Sequence, residues 1–542
     1  MDVQQSLVDN RSQSSEKSET PFFQPSNLLV GTGDGPGQPQ AGTTQIIAYI
    51  GVGERRETFD PNDNSGARYY VDAGGGTDYI WTFGFDDYLI GGGDSDIIRG
   101  NGGDDVIIGD NTWDDNTTGV AAISSGADYL MGDAGNDTIF AGGGANWVDG
   151  GSGNDFVLGG TGGEFLQGGS GDDRIFALEG NDVLYGGNAA LFVQSQAALV
   201  RFNAVTVDYN GIDDTAVFVV KTVPGLNAVL TGTGSDYLDG GAGNDQIFGQ
   251  DGNDFLTGAT GDDVLDGGSG LDAMDGGAGY DFIQYLSAEA GVTVDLQNSL
   301  VNAGDALGDA YANVEGIVGS SYNDSLYGDG GGNFLFGYGG IDYLFGRSGN
   351  DSLYGGEGDD QLIGGAGSDA LDGGNGFDYA HYGDAQAAVV ADLQVAAQNS
   401  GDGAGDNYTS IEGLIGSNFN DLLLGDGGNN FILGGSGNDQ IYGRDGYDAL
   451  FGGGGNDTLY GGFNADTFVF GANEGQDTIG DFDLAGGDTM LLSGLGVASF
   501  AQVQGLTTQV GANTVITFAS GASITLLNIA AGSLNAGDFS FA

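Results

Sequence analysis

Aspartate recurs at every ninth residue over long stretches of this chain, each time after glycine-rich backbone. From Gly240 to Gln284 the segments GGAGNDQIF, GQDGNDFLT, GATGDDVLD, GGSGLDAMD and GGAGYDFIQ follow without a break, with Asp245, Asp254, Asp263, Asp272 and Asp281 in sixth place. A carboxylate is a hard oxygen donor, and glycine lets main-chain carbonyls close on a common point. Ca2+ takes six to eight such oxygens at roughly 2.3–2.6 Å. Repetition of Gly-Gly-x-Gly-x-Asp-x-apolar-x is the nonapeptide pattern of a parallel β-roll that binds calcium. The same register makes candidate metal ligands of Asp78, Asp87, Asp96, Asp105, Asp128, Asp137, Asp155, Asp173, Asp182 and Asp236 before this run. After it come Asp324, Asp342, Asp351, Asp360, Asp369, Asp378, Asp421, Asp439, Asp448, Asp457 and Asp466. Asn146, Glu164, Asn333 and Asn430 stand where Asp is expected, and those units read as weak or empty sites.

The remaining positions must place these oxygens. Glycines at positions one, two and four are read as sites of positive φ. Positions seven to nine are a short strand whose middle side chain, Ile247, Leu256, Leu265, Met274 or Ile283, turns inward. Each nonad is then one loop and one strand, and two nonads make one coil. Loops on one edge lie two nonads apart, as Asp245 and Asp263 do, and each ion is expected between such stacked loops. A flexible Gly/Asp linker has no reason to keep an apolar residue two places after every Asp.

Composition agrees with ligation. Among 542 residues there are 111 Gly, 6 Pro and no Cys, so no disulfide can contribute. Acidic residues number 77 against 11 basic, a formal net charge of −66. Such a chain repels nucleic acid and anionic membrane. About 20 Ca2+ ions would add about +40 of charge, and metal free energy would become folding free energy. No stretch reaches the apolar length of a membrane span.

Along the chain, residues 1–42 read as a disordered arm without the basic and apolar regions of a signal peptide, and 43–72 as an N-terminal cap. Arrays of nonads are placed at 73–187, 231–284, 319–381 and 416–469, with a β insertion at 188–230 and β excursions that leave the roll and return at 285–318 and 382–415. Residues 470–542 read as a C-terminal cap. Asp60, Asn62 and Asn64 have EF-hand-like spacing, but Ser65 and Val71 stand where the loop Gly and the bidentate Glu belong. A longer repeat is also visible: GVTVDL (291–296), GDALGD (304–309) and VEGIVGS (314–320) return as AVVADL, GDGAGD and IEGLIGS, each 97 residues later.

These repeats resemble the repeats-in-toxin (RTX) family of haemolysin-type calcium-binding proteins, from about Ala73 to the C-terminus. ADTFVF (465–470), GQDTIGDFD (475–483) and GDTMLLSG (487–494) look like the C-terminal cap of secreted RTX proteins, and Asp538-Phe539-Ser540-Phe541-Ala542 like the ending of a type I secretion signal. The resemblance implies a Gram-negative bacterial source, export unfolded by a type I machinery, and folding outside the cell on calcium. The large N-terminal effector domain of RTX toxins, proteases and lipases has no counterpart here.

Catalytic patterns are scarce. With one His, His381, there is no HExxH, and no GxSxG occurs. His381 is the ninth residue of GGNGFDYAH, at a strand end. A glycosidase or lyase built from Asp, Glu and Tyr has no sequence mark that would select its carboxylates. The 23 Tyr and 30 Phe read as sheet packing rather than a sugar platform. The expectation is an all-β, secreted, non-enzymatic calcium-binding structural protein of the cell surface or matrix, with self-association into sheets or filaments and no nucleic-acid partner. A carbohydrate-active enzyme and a soluble adhesin binding through 188–230 are the alternatives.

Overall fold

The computed structural model describes residues 29–31, 46–50, 58–59, 68–75, 77–82, 86–93, 95–110, 126–187 and 235–542, Asn473 excepted. The expected insertion 188–230, the EF-hand-like trio Asp60, Asn62 and Asn64, and all of the 1–42 arm but Leu29–Gly31 lie outside them. The chain divides into two compact units, Met1–Phe255 and Leu256–Ala542.

In the first unit successive nonads place strands alternately in two parallel sheets. Thr138–Gly142, Phe156–Gly160, Arg174–Leu178 and Tyr237–Ala242 run in one sheet. Tyr129–Met131, Trp147–Ser152, Phe165–Ser170, Val183–Tyr185 and Gln246–Phe248 run in the other. Val157 pairs with Ile175 and Val148 with Leu166, so neighbours in a sheet are two nonads apart. Ile175 pairs with Leu238 and Leu184 with Ile247 across the long insertion, with the register kept. The middle residue of each strand, such as Ile139, Val157, Leu166, Ile175, Leu184 and Leu238, is fully buried. Each such side chain contributes roughly 1.5–3 kcal/mol by burial. Near the N-terminus, Leu29–Gly31, Ile46–Ile50 and Arg68–Gly75 are parallel neighbours in one sheet.

On the outer faces the position-seven and position-nine aromatics stack from coil to coil. Tyr185 lies 4.9 Å from Phe248 at an interplanar angle of 12°, and Tyr237 lies 5.1 Å from Phe255 at 8°. The ring faces cover one another along the stack.

In the second unit, the segment 285–318 does not leave the roll as its sequence leads one to expect. Its strands belong to the roll's own sheets. Ala310–Ala312 pairs with Ala273–Ala278, Gly316–Val318 pairs with Phe282–Gln284, and Thr293–Asp295 pairs forward with Ser325–Tyr327. One sheet therefore ends at Ala310–Ala312, one passes through, and a new one starts at Thr293–Asp295. The second copy, within 382–415, repeats this: Asn407–Thr409 pairs with Ala370–Asn375, Gly413–Ile415 with Tyr379–His381, and Val390–Asp392 starts the next sheet against Leu422–Leu424. The duplicated 97-residue unit is thus a sheet exchange. Buried side chains repeat with it. Tyr285 donates to Asp309 (2.9 Å) and meets the Tyr311 hydroxyl, as Tyr382 donates to Asp406 (2.8 Å) and meets Tyr408.

Parallel coiling continues past residue 469. Gln476–Ile479 pairs with Thr458–Phe463, and Thr489–Leu492 with Thr467–Phe470. Closure comes from the antiparallel strands Thr507–Val510, Asn513–Thr517 and Ser523–Leu526, and from Phe539–Phe541 on the edge of Thr489–Leu492. Among the described residues no helix is long and apolar enough to cross a membrane.

Candidate metal centre

Position six sets the geometry of every loop. All of the aspartates predicted as ligands are buried, none more than 4% exposed. Their carboxylates form ladders along the loop edges. In the first unit the Asp137 N–H donates to Asp155 Oδ1 (2.8 Å), Asp155 to Asp173 (2.7 Å), Asp173 to Asp236 (2.7 Å) and Asp236 to Asp254 (2.8 Å). Asp78 and Asp96, Asp87 and Asp105, Asp96 and Asp128, Asp105 and Asp137, and Asp182 and Asp245 are linked in the same way. In the second unit the links run from Asp263 to Asp281, from Asp324 through Asp342 and Asp360 to Asp378, from Asp351 to Asp369, from Asp421 through Asp439 to Asp457, and from Asp448 to Asp466. Asp272 donates its N–H to Asp309, inside the sheet exchange.

One oxygen of each carboxylate is thereby used. The second is not: Oδ2 of Asp137, Asp155, Asp173, Asp342, Asp360, Asp439 and Asp457 is buried with no hydrogen-bond partner among the described residues. A buried acceptor without a donor costs about 1–3 kcal/mol, more for a charge, so these oxygens require a cation or a proton. The glycine at position one shows where they point. A Cβ on Gly355 would collide with Asp360 Oδ2 and lie 2.6 Å from the Gly373 carbonyl oxygen, and one on Gly337 would meet Asp342 Oδ2 and the Gly355 carbonyl in the same way. Acidic and carbonyl oxygens converge there without a donor. No three His, Cys, Asp or Glu side chains group around one point among the described residues, so a cation here would draw on fewer than three carboxylates together with main-chain carbonyls. That hard-oxygen set fits Ca2+.

These glycines also correct a detail. Positions two and four have positive φ, as at Gly151 (106°) and Gly153 (133°), but position one does not; glycine is needed there because the carboxylate and a carbonyl approach too closely for a Cβ.

Electrostatics point the same way. Burial first, and then the like charge one coil away, pushes Asp105 up to about 9, Asp173 to about 8 and Asp342 to about 7. Carboxylates this stressed are poised to take a counter-ion.

Some positions behave differently. Asp324 Oδ2 accepts from the Ser320 N–H (2.6 Å) and Asp421 Oδ2 from the Ser417 N–H (2.5 Å), so the acceptor-only arrangement is missing at these two predicted ligands. The units read as weak are well built. Asn146 takes the ladder bond from Asp128 (2.9 Å), and Asn333 and Asn430 accept from Asp329 and Asp426 while donating to the Glu315 and Glu412 carbonyls (3.3 Å each). Asparagine suits position 333 because the coil before presents the Glu315 carbonyl there, while the Glu315 N–H is bonded to the Asp281 carbonyl. Glu164 keeps a buried oxygen with no partner among the described residues, and burial, with Asp182 beside it, pushes its pKa up.

Sequence reasoning missed the residues that continue the ladders off the nine-residue count: Asp309 and Asp406, Glu315 and Glu412, Asp477 and Asp488. Asp477-Thr-Ile and Asp488-Thr-Met keep the Asp-x-apolar signature, but at spacings of 20 and 22 residues. His381 is half-buried at the end of Tyr379–His381; burial lowers its pKa, Asp384 is the charged group acting on it, and its Nδ1 has no partner among the described residues.

Comparisons with known proteins bear on the same loops. No curated protein matches the chain. Among solved structures, the extracellular lipase LipA from Serratia marcescens shares 19% identity over 41% of this chain and 40% of its own length, with a TM-score of 0.21. The AlgE6R3 subunit from the Azotobacter vinelandii mannuronan C5-epimerase shares 32% identity over 23% of this chain and 80% of its own, with a TM-score of 0.20. The family profile described as the RTX calcium-binding nonapeptide repeat (4 copies) matches residues 81–111, 123–157, 158–190, 225–256, 248–283, 317–344, 345–380, 415–450 and 448–479. With more than half of its residues in that repeat and its carboxylates stacked in acceptor-only ladders, the chain belongs to the family of RTX calcium-binding nonapeptide-repeat proteins.

Proposed function

We propose that this protein is a secreted, non-enzymatic structural component of a cell surface or extracellular matrix, whose roll is completed by calcium. The observation that carries the reading is the row of buried carboxylate oxygens without donors, which makes cation binding part of folding. Two further features support a scaffold. A 97-residue structural unit is duplicated, and rings on the outer sheets stack on one another from coil to coil, as Tyr185 does on Phe248, Tyr237 on Phe255 and Tyr442 on Tyr460.

Circular dichroism and light scattering in EGTA and in Ca2+ test it. The expected outcome is loss of β signal in EGTA, recovery with Ca2+, and growth of large particles at millimolar Ca2+. A spectrum indifferent to EGTA removes calcium-driven folding. A strictly monomeric calcium form removes the sheet or filament role, and turnover of a polysaccharide by that monomer replaces the scaffold with a carbohydrate-active enzyme. Export by a type I system belongs to the same proposal and is supported by the family and by the resemblance of residues 470–542 to its secretion caps. Removing 470–542 is expected to retain the chain in the cytoplasm; its appearance in the medium would count against that route.

A further inference from the structure

The loops that follow each sheet exchange break the pattern together, on both edges and in both copies. On one edge Asp324 is met by the Ser320 N–H (2.6 Å) and hydroxyl (2.8 Å), and Asp421 by the Ser417 N–H (2.5 Å) and hydroxyl (2.8 Å). On the other edge position six is Asn333 or Asn430, and a guanidinium comes in from the coil that follows. Arg347 pairs bidentately with Asp295 (2.8 and 2.7 Å) and donates to the Gly328 carbonyl. Arg444 does the same with Asp392 (2.7 Å twice) and the Gly425 carbonyl. Gly328 and Gly425 are the position-one residues of the asparagine loops, and Asn333 Oδ1 lies against Gly328 as Asp342 Oδ2 lies against Gly337.

The geometry points to a coil in each copy that excludes calcium because the protein supplies its own cation and donors there. This rests on the calcium reading of the other loops. A regular loop carries one uncompensated carboxylate. Here the asparagine carries none, and the Asp295 or Asp392 charge is matched by Arg347 or Arg444. A fork-like guanidinium suits this role, since it neutralises a carboxylate bidentately and still reaches a carbonyl. The arginines stand at position two with φ of 76° and 84°, a conformation unfavourable for a long side chain, which places their guanidinium groups over the preceding loop. Ser320, Ser417, Asn333, Asn430, Arg347 and Arg444 therefore decide which loops take metal. The consequence is that the new sheet begins on a calcium-independent coil.

Native mass spectrometry of the calcium-loaded full chain reads the ion count directly. Asp324→Asn and Asp421→Asn are expected to keep the wild-type count, whereas Asp360→Asn and Asp457→Asn each lose at least one ion. Loss of an ion from Asp324→Asn or Asp421→Asn overturns the inference. If those variants fail to fold, calcium anomalous scattering from wild-type crystals decides. No calcium is expected in coordination with the Gly328 or Gly425 carbonyl oxygens, and a calcium peak at either overturns it. A wild-type chain that holds no calcium at all would instead overturn the calcium reading on which the inference rests.

Discussion

An aspartate in this roll does two jobs with its two oxygens. Asp342 Oδ1 holds the Asp324 N–H of the adjacent coil (2.8 Å), and its Oδ2 faces carbonyl oxygens with no donor. Asp342→Ala removes both, and the expected loss is about 3–5 kcal/mol of calcium-form stability, by analogy with breaking a buried charge pair. Read from sequence, Asn333→Ala should do much less than loss of a regular aspartate. Its two hydrogen bonds raise that expectation to about 1–3 kcal/mol, since the Asp329 N–H and Glu315 carbonyl lose their partner. Thermal unfolding of both variants in calcium is the measurement; a silent Asn333→Ala would mean that water replaces the amide. Glycines sort the same way. Gly355→Ala drives a Cβ into Asp360 Oδ2 and the Gly373 carbonyl, whereas Gly454 is exposed with nothing within 4 Å. A calcium titration followed by circular dichroism should show the midpoint raised about tenfold or more for Gly355→Ala, about 1.4 kcal/mol, and unmoved for Gly454→Ala.

At the scale of the element, the ladder makes neighbouring loops share one electrostatic fate. Burial, followed by the carboxylate one coil away, raises Asp105 to about 9, Asp173 to about 8, and Asp137 and Asp439 to about 7, from an ordinary 3.8. A group whose folded pKa is raised favours the fold fully below its unfolded pKa, and that contribution is lost as pH rises through the folded value. The metal-free roll should therefore lose stability between about pH 4 and pH 9 and regain it on acidification. In EGTA, β signal is expected to grow from about pH 9 down to about pH 4, while calcium affinity falls over the same interval as protons compete. A metal-free spectrum that loses β signal on acidification would contradict this. Asp295 and Asp392 run the other way. Burial is the largest single influence and acts to raise them, but the Arg347 or Arg444 guanidinium and two backbone N–H groups together outweigh it and hold both below the usual carboxylate range. Their contribution is present above the unfolded pKa and lost only as pH falls through the lower folded value.

For the whole molecule, register outlasts interruption. Leu184 and Ile247 are sheet neighbours although 63 residues apart, where eighteen is the rule. Removing 188–232 would join Gly186-Gly187 to Thr233-Gly234-Ser235-Asp236-Tyr237-Leu238-Asp239, which is a complete nonad, GGTGSDYLD. That deletion is expected to keep both the β spectrum and calcium-dependent folding, and a chain that no longer folds on calcium would show that the insertion stabilises the roll. Mg2+ should not substitute for Ca2+ in either protein, because it demands octahedral geometry at shorter distances and retains its waters.

The nine-residue period alone determined the parallel roll, the inward aliphatic row and the identity of the position-six aspartates. Each depends only on local backbone freedom and on the alternation of a three-residue strand, and Asp155, Val157 and Gly153 stand where the spacing puts them. The tertiary structure decided what depends on the coil above or below. It showed that position-one glycine answers to a carboxylate, that Asn333 faces a carbonyl and not an N–H, and that Asp309, Glu315, Asp477 and Asp488 carry the ladder at irregular spacings. It also showed that the 97-residue duplication exchanges one sheet for another and brings Arg347 to Asp295, 52 residues away. A period specifies what each residue does within its own loop; which groups meet across loops is set by the stacking of coils, and no local pattern records it.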